Sequence, residues 1–304
     1  MPVNHEPQST AALGPIRRVG IVAKRHLYEA ARLLDELVDW LATREVTPIL
    51  DLDTAHLAGR PDVAALAQAD LPGAVDLMVV LGGDGTLLGM ADRIAEAQAR
   101  VPILGVNFGS LGFLTEITLP ELFPALASAL DGSARVDERL MVRATTRRRD
   151  GHTAFCTVLN DVVITKGALS RIIDLSVTVD AQFVARFKAD GLILATPTGS
   201  TAYNLAAGGP IVHPSVEAFV ITPIAPHTLT NRPIAIPSSS TVVIQPVGDV
   251  EPDAIFATFD GQRGFPLHAD DAVEIRQADE PTRVIRAQRS YFDVLRQKLR
   301  WAER

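Results

Sequence analysis

Apolar residues recur along this chain with two different periods, and the switch between them divides it. In the first part, short apolar runs alternate with stretches whose apolar positions return every three to four residues. Val19–Ala23 predicts a buried strand. Leu27–Thr43 predicts an amphipathic helix in which Leu27, Ala30, Leu34, Leu37, Val38 and Leu41 share one face. Pro48–Leu52, Asp76–Leu81 and Pro102–Val106 predict three further strands, and a helix runs from Thr86 to about Gln98. Pro120 opens another helix that Gly132 closes, the usual order of helix punctuation. Strands alternating with helices predict a parallel sheet covered on both faces, with ligands at the carboxyl ends of its strands.

After Arg135 the pattern changes. Strand-length runs follow one another at Leu140–Thr146, Thr153–Ile164, Ile172–Val179, Gly191–Thr196, Thr241–Gln245, Ala254–Phe259, Ala272–Arg276 and Thr282–Ala287, punctuated by Pro, Gly, Asn and Asp. This predicts a β-rich second domain, a sandwich or layered sheet. Ser290–Trp301 is helical again: Ser290 and Asp293 have capping-box spacing, and Phe292, Leu295 and Leu299, with Trp301 beyond, form one apolar stripe. The expected division is a loose lead over 1–15, an α/β domain over 16–135, a β-rich domain over 136–287, and a helix over 288–304 that docks back on the body.

Composition narrows the function. Hydrophobic residues make up 47% of the 304, ample for a packed core. The net charge of −7 and the lack of clustered cations argue against nucleic acid or an anionic membrane as partner. The Arg147–Arg149 run, beside Asp150 and Gly151, reads as a solvated hairpin tip. Cys156 is the only cysteine and lies in a strand-like run, so it is expected to be buried and inert, in a reducing compartment. No signal sequence or membrane-spanning run is legible, and a cytoplasmic protein is expected. His213 and His227 border prolines, and no His/Cys cluster has the spacing of a zinc site.

Three stretches carry candidate chemistry. The strand at Asp76–Leu81 feeds Gly82-Gly83-Asp84-Gly85-Thr86, where glycines let backbone N–H groups approach an anion and a helix start attracts phosphate. A carboxylate there can take a proton from an attacking hydroxyl or help hold Mg²⁺; alternatively, Asp84 merely caps the helix. Leu104–Glu116 leaves a strand with Gly109 and Gly112 interleaved among apolar residues, the texture of a rigid second wall for a nucleotide. Lys188–Pro210 crowds Thr196, Thr198, Ser200, Thr201, Tyr203 and Asn204 among glycines; hydroxyls and amides can bind phosphate or sugar oxygens, and Tyr203 can stack on a purine. The competing reading is a long turn satisfied internally by its own hydroxyls. Asn160 and Asp161 sit inside the apolar run Thr157–Ile164, where a turn is awkward and an unpaired carboxylate costly, so a ligand partner is expected.

In this order Gly82–Thr86, Asn107-x-Gly109-x-Leu-Gly112-Phe-Leu, Asn160-Asp161, Asp190–Gly209 and Pro226-His227…Arg232-Pro233 resemble the bacterial NAD kinases, from about Ile16 to Trp301. The resemblance implies an α/β fold, a Rossmann-like N-terminal domain with a parallel sheet plus a β-rich, NAD-binding C-terminal domain. It implies transfer of the ATP γ-phosphate to the 2′-hydroxyl of the NAD adenosine ribose, with Mg²⁺ or another divalent cation, in a homodimer or homotetramer. Asp84 becomes the proton acceptor. Gly82, Gly83, Gly85, Thr86 and Asn107 become nucleotide-binding positions, and Asn160, Asp161, Asp190, Thr198, Thr201, Ala202, Tyr203, Asn204, Leu205 and Ala206 NAD-binding ones. Arg171, Lys188 and Gln262 fall where relatives contact substrate. A charged residue at Lys188 goes with ATP rather than polyphosphate as donor, and Ser110 stands where relatives carry a basic residue. The glycine turn alone is shared with lipid and other small-molecule kinases, and a non-catalytic NAD(P)-binding module is the remaining alternative.

Overall fold

Leu77–Gly82 is buried at every position, as a strand covered on both faces must be, and it lies mid-sheet. The computed structural model describes residues 13–109, 111–149, 151–167, 172–228, 230–248 and 254–301. These fall into two units, one of residues 1–138 and 282–304, the other Arg139–Pro281. The chain therefore returns to the first unit at Thr282, several residues before the position expected from sequence.

The first unit carries β1 (Arg18–Ala23), β2 (Thr47–Asp51), β3 (Ala64–Leu66), β4 (Leu77–Gly82), β5 (Ile103–Asn107), β6 (Ile117–Thr118), β7 (Val136–Arg139) and, numbered in chain order, β20 (Thr282–Ile285). Their sheet order is β3-β2-β1-β4-β5-β20-β7, with β6 beside β5. The pairs β1/β2, β2/β3, β1/β4, β4/β5, β5/β6 and β5/β20 are parallel. Strand order reverses between β1 and β4, the switch point at which such sheets bind ligands. Helix α1 (Ala31–Ala42) packs Leu34, Leu37, Val38 and Leu41 inward on the expected stripe. Two short helices, α2 (Leu52–Ala58) and α3 (Leu71–Ala74), escaped the periodicity because neither exceeds two turns. Helix α4 (Asp84–Glu96) follows β4, and α5 (Leu122–Leu130) ends before Gly132, whose φ of 79° closes it.

The C-terminal helix α7 (Tyr291–Leu299, numbered after the α6 introduced below) belongs to this unit and has the expected capping box. Its buried face differs from the expected stripe. Tyr291, Val294 and Leu295 point inward, while Phe292 and Trp301 are about half exposed. An aromatic at i+1 lies about 100° round the helix from its neighbour, so Tyr291 and Phe292 cannot share a face.

The second unit holds two six-stranded sheets whose pairs are antiparallel. One contains β8 (Val142–Arg147), β9 (Thr153–Val158), β11 (Ile173–Val179), β12 (Gln182–Ala189), β16 (Val242–Pro246) and β19 (Ala272–Gln277). The other contains β10 (Asp161–Lys166), β13 (Gly191–Ala195), β14 (Ala218–Ile224), β15 (Ile234–Pro237), β17 (Ile255–Phe259) and β18 (Arg263–Leu267). Val142, Val158, Leu175, Ile244 and Val273 of the first share one core with Val162, Ile164, Leu194, Phe219 and Ala257 of the second, which makes a sandwich. Arg147–Arg149 does lie at the β8–β9 hairpin, and Cys156 is buried. The run Thr153–Ile164, expected as one strand, is two: β9 and β10 lie in different sheets, and the chain bends at Leu159-Asn160 to pass between them.

Candidate functional site

Each unit carries one cluster. In the first, β4 ends at Gly82 and α4 begins at Asp84, with Gly83 as an extended N-cap. Asp84 does not cap its helix. Its carboxylate reaches the loop beyond β5, where the N–H groups of Phe113, Leu114 and Thr115 donate to it at 2.9, 3.2 and 3.0 Å and the Thr115 hydroxyl at 2.9 Å. The loop can approach because Gly112 has no side chain: a Cβ there would overlap the Asp84 carboxylate and the Thr115 hydroxyl. Asn107, at the end of β5, accepts from Gly109 N–H and donates to Thr115 Oγ1 at 3.3 Å. Phe108 N–H donates to the Gly82 carbonyl at 3.1 Å. Gly82, Gly83, Asp84, Gly85, Thr86 and Asn107 thus gather at the carboxyl ends of β4 and β5, with the first N–H groups of α4 among them. Ser110 lies outside the described residues.

In the second unit the bend at Asn160 is the centre. The Asp260 carboxylate accepts from three successive N–H groups, Leu159, Asn160 and Asp161, at 2.7, 2.8 and 3.0 Å. Asp260 and Gly261 have φ of 50° and 62°, a type I′ hairpin turn between β17 and β18. The Asn160 carbonyl accepts from Thr196 N–H at 2.9 Å, and the Thr196 hydroxyl donates to the Leu159 carbonyl at 2.6 Å. Gly199 lies so close to Asn160 that a Cβ would strike its carbonyl. Helix α6 (Tyr203–Ala206) follows. Asn204 is fully used in pinning it: its amide donates to the Ser200 and Pro210 carbonyls at 3.0 Å each and its oxygen accepts from the Thr222 hydroxyl at 2.6 Å.

This construction leaves two groups without internal partners. Asn160 Oδ1 is buried with no hydrogen bond. The Asp161 side chain is 5% exposed, and burial, then the neighbouring Asp260 charge, push its carboxyl up to about 7. Buried polar groups are ordinarily satisfied, which makes these two candidates for contact with a bound molecule. Thr198, next to Gly199, is buried, Thr201 donates to its carbonyl at 3.3 Å, and Ala202, Leu205 and Ala206 continue the segment, with Tyr203 44% exposed.

The other expected residues lie elsewhere. Thr165 pairs with Gly191, and Asp190 lies one residue further, opposite Lys166, so it sits roughly 17 Å from Asp161 along the strands. Asp190 is ion-paired to Lys166 at 2.9 Å, and Lys188 is exposed on β12. Gln262 is exposed on the hairpin turn beside Asp260. Arg171 lies outside the described residues. Sequence reasoning missed Thr115 and Asp260; the Asp-Gly pair between two apolar runs was the available signal for the latter. Among the described residues no three His, Cys, Asp or Glu side chains cluster to hold a metal, and no helix is long and apolar enough to cross a membrane.

Comparison with known proteins agrees with this layout. Residues 19–134 match the ATP-NAD kinase N-terminal domain and residues 159–287 the ATP-NAD kinase C-terminal domain. The chain is 47% identical over 291 residues to the NAD kinase of Geotalea daltonii and 48% identical over 291 to that of Geobacter sulfurreducens, covering 95% of this chain and all of each relative. In fold it is similar to yeast NADH kinase complexed with NADH, with a TM-score of 0.86 at 24% identity over 96% of this chain and 89% of that one. An Archaeoglobus fulgidus NAD kinase in complex with ATP gives 0.73 at 23% identity over 92% and 98%.

Proposed function

From the premise that this chain belongs to the ATP-NAD kinase family, we propose that Asp84 accepts the proton of the adenosine ribose 2′-hydroxyl as the ATP γ-phosphate is transferred to it. The activity is that of an NAD kinase: ATP and NAD enter, ADP and NADP leave. The observation that carries the role of Asp84 is its fixation by four donors where β4 ends and α4 begins. A ribose hydroxyl is a poor nucleophile near neutral pH, and a positioned carboxylate takes its proton as the bond to phosphorus forms. The rest is placement and charge compensation, to which the glycine turn and the first N–H groups of α4 contribute.

The residues present suit Mg²⁺ that arrives on the nucleotide. Mg²⁺ is commonly held by one or two carboxylates together with substrate phosphates, and the described residues offer Asp84 without an acidic cage. When bound, the ion offsets the negative charge on the phosphates.

On the second unit, Asn160 Oδ1 and the Asp161 carboxyl hold the adenosine part of NAD, and the segment Thr198–Ala206 lines it, with Tyr203 stacking on the purine. Asn204 serves as the pin of that segment. Lys188 and Asp190, at the far end of the strands, act on a different part of the dinucleotide, and Arg171 and Gln262 add contacts. Lys188 favours ATP as donor. The protein works in the cytoplasm as a homodimer or homotetramer. The exposed rings of Phe155 and Phe183, on the edge strands β9 and β12, support self-association.

The test is direct. Purified protein with ATP, Mg²⁺ and NAD is assayed for NADP, alongside Asp84→Asn. We expect NADP from the native protein and a folded variant with most turnover lost. Near-native turnover in Asp84→Asn removes Asp84 from the chemistry.

A further inference from the structure

The loop that fixes Asp84 is itself anchored by a buried cation. Thr115, which supplies two of the four donors, is followed by Glu116, only 3% exposed. Arg286, just beyond β20, donates from Nε to Glu116 at 3.1 Å, from a second nitrogen to Asp137 at 3.1 Å, and from the third to the Arg289 carbonyl at 3.3 Å. Its side chain is 9% exposed. One guanidinium thus ties the Asp84 loop to β7 and to the segment that leads into α7. Desolvation of the guanidinium opposes its charge, but Glu116 and Asp137 outweigh it and hold Arg286 above its ordinary range.

We infer that Arg286 is a positioning residue for phosphoryl transfer: through Glu116 it sets the loop whose amides and hydroxyl aim the Asp84 carboxylate. The inference rests on the reading of Asp84 as proton acceptor. Its physical basis is the cost of a buried carboxylate that loses its partner. Without Arg286, the buried Glu116 loses the cation paired to it at 3.1 Å and its carboxylate shifts from its native position. Thr115 is covalently joined to it and moves with it. The helix end bearing Asp84 stays on β4, so the carboxylate and its donors lose register. A shift of about 1 Å at a catalytic group costs about a hundredfold in rate.

The surroundings offer a specific test. A cavity of about 500 Å³ lies over Arg286, lined also by Ile117, Glu121, Arg135 and Ala287. Truncation in Arg286→Ala would extend this opening toward the Glu116 and Asp137 carboxylates, leaving a path for a free guanidinium ion. We expect kcat of Arg286→Ala to fall by about a hundredfold, with KM for ATP and NAD changed less than about threefold. Guanidinium chloride at tens of millimolar, below denaturing levels, should restore at least about tenfold, because the planar fork matches a carboxylate. Tetramethylammonium at the same ionic strength should not. Glu116→Gln, which keeps the side chain's shape, should lower kcat in the same direction. Arg286→Ala added to Asp84→Asn should cause little further loss, since the two act as one unit.

Unchanged kcat in a folded Arg286→Ala, a loss confined to KM, or rescue by both cations alike overturns the inference. Should Arg286→Ala fail to fold, native kcat in Glu116→Gln overturns it as well. Normal turnover in Asp84→Asn would instead sink the proton-acceptor reading, so the two failures are told apart.

Discussion

Replacing Asp161 by Asn should stabilise this protein at alkaline pH while weakening its hold on NAD. The buried Asp161 carboxyl titrates at about 7, against an ordinary value of 3.8, first because it is desolvated and then because Asp260 faces it. Between these values the folded protein binds a proton that the unfolded chain has released. Stability therefore falls as pH rises from about 4 to about 7, and levels off above. Roughly three pH units at 1.36 kcal/mol each give a loss of about 4 kcal/mol by pH 8. Asparagine has nearly the shape of the protonated acid and no such titration. The difference in unfolding free energy between variant and native protein should thus move by about 4 kcal/mol in the variant's favour from pH 4 to pH 8.

Urea unfolding followed by far-ultraviolet circular dichroism at several pH values reads this difference, with equal slopes in urea required for the comparison. A difference that does not change with pH, or that grows against the variant toward pH 8, refutes the reasoning. The functional arm runs the other way. Asparagine cannot offer two acceptor oxygens to ribose hydroxyls, so KM for NAD should rise about tenfold or more at pH 8. The gap should narrow at pH 6, where the native acid is itself largely protonated. A residue that costs stability and is needed for binding is the expected signature of a functional site.

Gly112→Ala should abolish most NADP formation with a modest loss of stability, because the new methyl displaces the Asp84 carboxylate; native kcat would show that the close approach is dispensable. Asn204→Leu leaves two carbonyls and the Thr222 hydroxyl without partners and should cost about 3 kcal/mol in urea unfolding, with a raised KM for NAD. Leu34→Ala on the buried stripe of α1 should cost about 3 kcal/mol without altering the KM for NAD of the folded fraction. Phe292→Ser, on the exposed side of α7, should shift stability by less than about 0.5 kcal/mol.

The architecture was legible wherever side-chain periodicity carried it. The stripe of α1, the run of β4 and the texture change after Arg135 all reported on burial, which is what a pattern of apolar residues records. The misses have equally local causes. Thr153–Ile164 is apolar on either side of Asn160-Asp161 because both β9 and β10 pack into one core, and that polar pair, expected to sit inside one strand, is where the chain changes sheets. The stripe assigned to α7 followed the large aromatics, whereas the buried phase is set by Tyr291, Val294 and Leu295. β20 reads like any other strand of the second half. Its place in the first sheet, between β5 and β7, is set by partners far away in sequence, such as Ile103 opposite Val284, which no local pattern encodes.

The two clusters share a device that leaves little trace in the sequence. In both, an aspartate beside a glycine on a turn gathers three consecutive backbone N–H groups of a distant loop: Asp84 takes those of residues 113–115, Asp260 those of residues 159–161. Aspartate suits this because its short side chain has few rotamers to lose, and a charged acceptor roughly doubles the strength of each bond. Apart from the Thr115 hydroxyl the donors are main chain, so the loop side of the contact has little residue signature; the absences of side chains at Gly112 and Gly199, where the backbone must come close, leave the clearest mark. The outcomes differ in what the fixed carboxylate is for. Asp260 braces a bend that holds Asn160 Oδ1 and the Asp161 carboxyl in a buried position, and its own charge raises the proton affinity of Asp161. Asp260→Asn should accordingly shift the pH dependence of KM for NAD toward acid, whereas the same substitution at Asp84 should remove turnover at every pH. Profiles of the two variants that matched would show that a single structural role had been mistaken for two.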